Sequence, residues 1–309
     1  MFKLPNPPSP KADVHELADF IELICWDRGS ASKREVVAYL GQVDDNDYNI
    51  GCDDDDDENS DLLDEVMNEI ERREYACGSG YPFQLDLEGT VLRHNAGNND
   101  QRSTLYHYLL LSTRLNMKND RDHAGINGAD LLEEVAAHAL KNYLGGTRAR
   151  AFVFGTSVSG GFQEKVSALC QELREGAGFR SLDDGPVEAN DDKLDAVAWV
   201  PFSDSLPGQL IVFGQCKTGS NWEGLVTQLR PVDFNKKWMS APFLVDPIRA
   251  LCISEAPERS RWKGTCVAAG IVLDRCRLVD FCDNLSMDLL DRVSRWTTAA
   301  KATVMYSAT

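Results

Sequence analysis

Residues 191–217 read DDKLDAVAWVPFSDSLPGQLIVFGQCK, and this stretch constrains the fold more than any other. Two apolar runs, 193–202 and 209–216, are separated by SDSLPG, whose Pro-Gly is a strong turn signal. Runs so rich in apolar residues belong to strands covered on both faces. The stretch therefore predicts a hairpin inside a sheet.

The sequence around it alternates in kind. Helices are expected at 130–144, 161–174, near 222–229 and at 286–300, and further strands at 150–156, 249–254 and 266–274. Interleaved helices and apolar strands imply an α/β fold, a mixed β-sheet flanked by helices. The first third reads differently. HELADFIELICWD and SKREVVAYLG read as helices, and SDLLDEVMNEIERREYAC as a third opening on a Ser60/Asp61 cap. YPFQLDL and TVLRHN follow as a hairpin, and this order is that of a winged helix. Loop-like segments at 94–103 and 119–130 place a boundary near residue 126. The expected division is an acidic, mainly helical module over 1–125 and an α/β domain over 126–309.

Charge supports the division. The chain carries a net −17, but 24 of its 49 acids and only 8 of its 32 bases fall in the first 100 residues, a local balance of −16. A nearly neutral C-terminal region can meet nucleic acid; a uniformly acidic chain would not. DDDDDENSD, 53–61, is expected to be a solvated, disordered loop, with mimicry of phosphate charge as the alternative. The nine cysteines include no CxxC pair and no histidine at zinc-finger spacing, so they read as reduced thiols. No run reaches the roughly 18 apolar residues of a membrane span. The opening MFKLPNPPSPKAD is too polar for a signal peptide, and a cytoplasmic protein without a membrane partner is expected.

Pairing the two strands brings Asp195, near the start of the first, beside Gln215 and Lys217 at the end of the second. On a strand Gln215 and Lys217 share a face. A carboxylate, an amide oxygen and the main-chain carbonyl of Cys216 make a hard-cation site suited to Mg²⁺ or Mn²⁺, with Lys217 as an adjacent positive charge. A cation held there polarises a phosphodiester and acidifies a bound water. The alternatives are a turn-forming acid for Asp195 and a strand end emerging into solvent for Gln215 and Lys217.

An Asp on one strand followed by Gln-x-Lys at the end of the next resembles the PD-(D/E)XK nuclease superfamily, in the QxK variant of Mrr-type restriction enzymes. The resemblance covers roughly residues 130–275 and implies a restriction-endonuclease-like fold and Mg²⁺-dependent cleavage of nucleic acid, DNA first. It further implies a restriction or phage-defence role, with the N-terminal module meeting a partner protein and a homodimer able to cut two strands. Such nucleases also place a Glu on a helix ahead of the sheet. Glu133, Glu134 and Glu164 are the candidates, and Glu133 borders the apolar stripe of its helix. Its alternative is the third position of a capping box opened by Asp130. Because Gln215 stands where the family usually has an acid, a catalytically inert subunit that binds a partner or nucleic acid is the rival reading. Beyond the strand, Arg230, Lys236 and Lys237 with Trp222 and Trp238 are expected either to meet a nucleic-acid backbone and stack on a base or, for the tryptophans, to lie in the core.

Overall fold

In the computed structural model, the described residues are 2–9, 11–36, 55–98, 100–155, 160–184, 189 and 191–305. The centre is a five-stranded mixed sheet in the order β10-β9-β8-β7-β6. Its strands are β6 (Arg150–Val153), β7 (Ala196–Val200), β8 (Leu210–Lys217), β9 (Ile248–Ile253) and β10 (Ile271–Leu273). β6, β7 and β8 pair antiparallel in turn, with Val197 opposite Phe213, whereas β8, β9 and β10 run parallel.

Period-two alternation sorts the hairpin residues onto two cores. Val197, Trp199, Ile211 and Phe213 face α5 (Phe162–Leu173) and α6 (Pro231–Trp238), packing with Phe162, Val166, Leu169 and Phe234. Ala196, Ala198 and Val212 face the other way, against Leu132, Val135, Ala136 and Leu140 of α4 (Gly128–Tyr143). Small residues on that face let α4 approach closely. A Cβ on Gly214 would lie 2.8 Å from Leu140 Cδ1.

The expected strand over 266–274 is instead helix and strand. α7 spans Trp262–Ala269 and β10 only Ile271–Leu273. The reason is topological: β9 and β10 are parallel, and a parallel connection needs a crossover, which α7 supplies. Gly270, at φ +84°, ends it where any Cβ would collide with the Arg249 carbonyl.

The N-terminal region comprises α1 (Val14–Arg28), β1 (Ser30–Ser32), α2 (Asp55–Cys77), β2 (Phe83–Leu85), β3 (Val91–His94) and α3 (Gln101–Arg114). Residues 33–36 form a helical turn; the rest of the helix expected at 32–41 lies outside the described residues. The expected hairpin is present, joined by β1 in an antiparallel sheet of order β1-β3-β2. α2 begins at Asp55, not at a Ser60/Asp61 cap, so the acidic run is helical from there on, while Asp53 and Asp54 lie outside the described residues. The two-residue strands β4 (Asp122–His123) and β5 (Ile126–Asn127) precede α4, and α8 (Arg275–Asp280) and α9 (Met287–Met305) close the chain.

One hydrophobic core runs from Leu17 and Ile21 of α1 through Tyr106 and Leu109 of α3 to Leu278 of α8 and Trp296 of α9. A buried ionic cluster crosses it. Asp19 binds Arg73 at 2.7 Å, Arg114 at 2.7 Å and Arg275 at 2.7 Å. Glu22 accepts from the hydroxyls of Tyr81 at 2.7 Å and Tyr106 at 2.8 Å. Among the described residues no helix is long and apolar enough to cross a membrane.

Candidate functional site

Asp195 sits immediately ahead of β7, where three main-chain hydrogen bonds fix it. Its N–H donates to the Gly214 carbonyl at 3.0 Å, and its carbonyl accepts from Phe154 at 2.8 Å and Gly155 at 3.0 Å. The side chain turns toward the end of β8, and Oδ2 accepts the main-chain N–H of Cys216 at 2.6 Å. The predicted juxtaposition is therefore present, although Cys216 takes part through its N–H. Its thiol lies toward the Leu132 carbonyl, and contact with Cys252 together with burial raises it well above its ordinary pKa.

Gln215 is 1% exposed, and its Nε2 donates to Gln228 Oε1 at 3.3 Å. With the nitrogen so engaged, the amide oxygen is the end left to face a cation. Lys217 is half-buried, and its main-chain carbonyl accepts from Ser254 at 3.2 Å. Its ammonium makes no ion pair or side-chain hydrogen bond among the described residues, and it acts on Asp195 as a nearby positive charge.

The three glutamate candidates have separate roles. Glu134 pairs with Arg292 of α9 at 2.6 Å. Glu164 accepts the Gly161 N–H at 3.1 Å at the start of α5. Glu133 is buried with its carboxylate against Gly155, so close that any Cβ on that glycine would collide with it. The capping-box alternative fails because α4 starts at Gly128 with Asn127 as its cap, the side chain accepting from Ala129 at 2.9 Å. That register places Glu133 a turn and a half into the helix, on the face turned to the sheet. Gly155 is in turn the residue whose N–H holds Asp195, so Glu133 and Asp195 meet at one corner.

Two carboxylates in a dry corner repel. Burial pushes the Asp195 carboxyl up to about 7; the Cys216 N–H lowers it, Glu133 and Asp191 raise it, and Lys217 lowers it. A bound cation would offset the cost of holding Asp195 charged in this corner. Among the described residues no cluster of three His, Cys, Asp or Glu side chains makes a metal site, so such an ion would draw the rest of its shell from amide, main-chain and water oxygens.

Sequence reasoning missed Lys165 and Gln228. Lys165 is buried, and its Nζ donates to the Gly155 carbonyl at 2.6 Å, holding from α5 the turn that Glu133 meets from α4. Its spacing from Phe162 and Leu169, three and four residues, placed it on the apolar face and was the available signal. Of the two readings of the tryptophans, the structure has the core one: Trp222 donates to Glu255 at 2.6 Å and is 2% exposed, and Trp238 is 5% exposed. Lys237 lies over the Trp238 ring at 4.4 Å and Arg230 pairs with Asp233 at 3.7 Å, while Lys236 is exposed. Comparison of the chain with protein-family models, curated proteins and solved structures returned no match.

Proposed function

We propose that this chain is a metal-dependent nuclease, with DNA as the first substrate to test. The observation that carries the reading is the corner where Asp195 reaches the Cys216 N–H, with Gln215 and Lys217 on the same strand end and Glu133 closing from α4. Asp195, the Gln215 amide oxygen, the Cys216 carbonyl and, at longer range, Glu133 are the groups that would hold Mg²⁺ or Mn²⁺, which supplies Lewis acidity toward the phosphodiester and an acidified water. Lys217, whose ammonium makes no ion pair among the described residues, is the group that would orient the attacking water and offset negative charge on the phosphorane-like transition state. The mixed sheet with helices on both faces is compatible with a restriction-endonuclease-like domain. The order helix, strand, helix, strand, strand with a β1-β3-β2 sheet supports a winged-helix-like N-terminal module that meets a partner protein or nucleic acid. A restriction or phage-defence role rests on the resemblance of the D…QxK pattern.

Lys217→Ala tests the reading. It should abolish Mg²⁺-dependent cleavage of plasmid, single-stranded DNA and RNA while leaving the thermal transition in place, because the ammonium makes no ion pair or side-chain hydrogen bond among the described residues. Cleavage at the wild-type rate would remove the site. The Gln215–Gln228 bond favours one rival, an inert scaffold in which the amide is structural. No shift of Tm with Mg²⁺ or Mn²⁺, together with no cleavage of any of the three substrates, would select it.

A further inference from the structure

The end of the sheet opposite Asp195 carries a second concave site. The segment between α4 and β6, the last turn of α5 and the β7–β8 hairpin enclose a cavity of about 470 Å³. Arg148, Arg150 and Arg174 line it, and none of the three guanidiniums has an ion-pair or hydrogen-bond partner among the described residues. Arg73, Arg114 and Arg275, by contrast, are buried and paired with carboxylates. Glu172 is the one carboxylate among the lining residues, so the cavity keeps a surplus of two positive charges.

The floor and rim define the ligand further. Gln209 is 4% exposed, and its Nε2 donates to the Leu173 carbonyl at the end of α5, covering a helix-end oxygen that would repel an anion. Thr147, Ser203 and Ser205 add hydroxyls. On the rim Phe202 is 56% exposed and Leu206 63% exposed, so an apolar and aromatic surface adjoins the cationic one. Planar guanidiniums match phosphate oxygens in pairs. The volume lies in the range of small-ligand sites, roughly 300–1,000 Å³, and exceeds what a single phosphate group fills.

We propose that this cavity binds a nucleoside di- or triphosphate, the arginines taking the phosphates and Phe202 the face of the base. The site is separate from the candidate cation site. Val200 pairs with Leu210 at this end and Ala196 with Gly214 at the other, which puts Phe202 and Asp195 roughly 20 Å apart along the strand. The assignment stands whether or not the chain is a nuclease.

Calorimetric titration of the full chain with ATP, with pyrophosphate and with a 5′-phosphorylated oligonucleotide, all without divalent metal, tests it. ATP should bind more tightly than pyrophosphate. Arg148→Gln combined with Arg174→Gln should weaken both at least about tenfold; these exposed positions leave the fold intact, which a thermal melt checks. Phe202→Ala should weaken ATP several-fold and leave pyrophosphate unchanged. Lys217→Ala should bind ATP and pyrophosphate as wild type does, so failure of the nuclease reading leaves this result untouched. Absence of binding at about 1 mM ATP, or wild-type affinity in the arginine double variant, would overturn the site. Equal loss of ATP and pyrophosphate in Phe202→Ala would overturn the nucleoside. Binding of the oligonucleotide that is tighter than that of ATP and is lost in the arginine double variant would reassign the cavity to a nucleic-acid strand end.

Discussion

The Asp195 carboxylate and the Cys216 main-chain N–H, 2.6 Å apart, tie the beginning of one central strand to the end of the next. This bond orients the carboxylate and lowers its pKa, but burial beside Glu133 outweighs it and leaves the group titrating at about 7. The unfolded carboxyl titrates near 3.9. Below about pH 4 both states are protonated and the group contributes nothing. Between about 4 and 7 the unfolded chain ionises while the native one does not, so metal-free stability falls as pH rises and levels off above 7. The Asn variant lacks this titration. In metal-free buffer, Asp195→Asn should therefore gain on wild type by about a few kcal/mol between pH 4 and 8, as read from urea midpoints. A pH-independent difference would contradict the raised pKa.

Gln215 supplies a second test, because it stands where an acid would strengthen a cation site. Gln215→Glu adds a third carboxylate to a corner already holding Asp195 and Glu133, at a position 1% exposed. Without metal the variant should lose about 1–3 kcal/mol through desolvation, repulsion and the weakened contact with Gln228. With Mg²⁺ it should recover, its Tm rising more steeply with metal than the wild type's, and the metal concentration for half-maximal cleavage should fall about tenfold. An equal response to Mg²⁺ in both proteins would exclude Gln215 from the cation site.

The pairing of 193–202 with 209–216 was legible because continuous apolar runs around Pro-Gly leave few other arrangements, and with it came the meeting of Asp195 with the 215–217 segment. Glu133 was legible from the stripe of its helix, though not its contact with Gly155, since nothing in GTSVSGG announces where that turn lies. The Asp130 cap and the 266–274 strand misled for one reason: local pattern was outranked by tertiary topology. Asn127 ends a two-residue strand and caps α4 from there, and the parallel β9–β10 pair requires a helix where CVAAG alone reads as strand. Gln228 gave no local signal, because its partner lies across a loop. The ionic cluster was invisible for the same reason, its members spread from Asp19 to Arg275.

Gly155 makes the Glu133 contact testable without deleting a charge. A Cβ there collides with the Glu133 carboxylate, so Gly155→Ala must displace it from a buried corner. The cost should be about 1–3 kcal/mol, with a fall in cleavage matching that of Glu133→Ala. In Glu133→Ala the obstacle is gone, so adding Gly155→Ala should cost far less than it does alone. A coupling of at least about 1 kcal/mol in this double-mutant cycle is the expected result; additivity would mean that Glu133 does not occupy the space against Gly155.

The Asp19 cluster predicts a different signature, that of a buried charge holding distant segments together. Burial alone would raise the Asp19 carboxyl, but Arg275, Arg114 and Arg73 hold it well below its ordinary value. Those arginines come from α8, α3 and α2, so one carboxylate on α1 bridges guanidiniums from three other elements, with Glu16, Glu22 and Glu69 supplying the remaining negative charge. Asp19→Asn keeps the shape and leaves the arginines undercompensated, and breaking such a buried pair costs about 3–5 kcal/mol. Because the cluster is dry, salt should screen it little, and the loss in urea midpoint should be nearly the same at low and high NaCl. The partly exposed Glu134–Arg292 pair is the internal control, with side chains 26% and 29% exposed. Glu134→Gln should cost no more than about 1 kcal/mol, and less as salt rises. If Asp19→Asn behaves like Glu134→Gln, the cluster does not join these helices in the way its geometry requires.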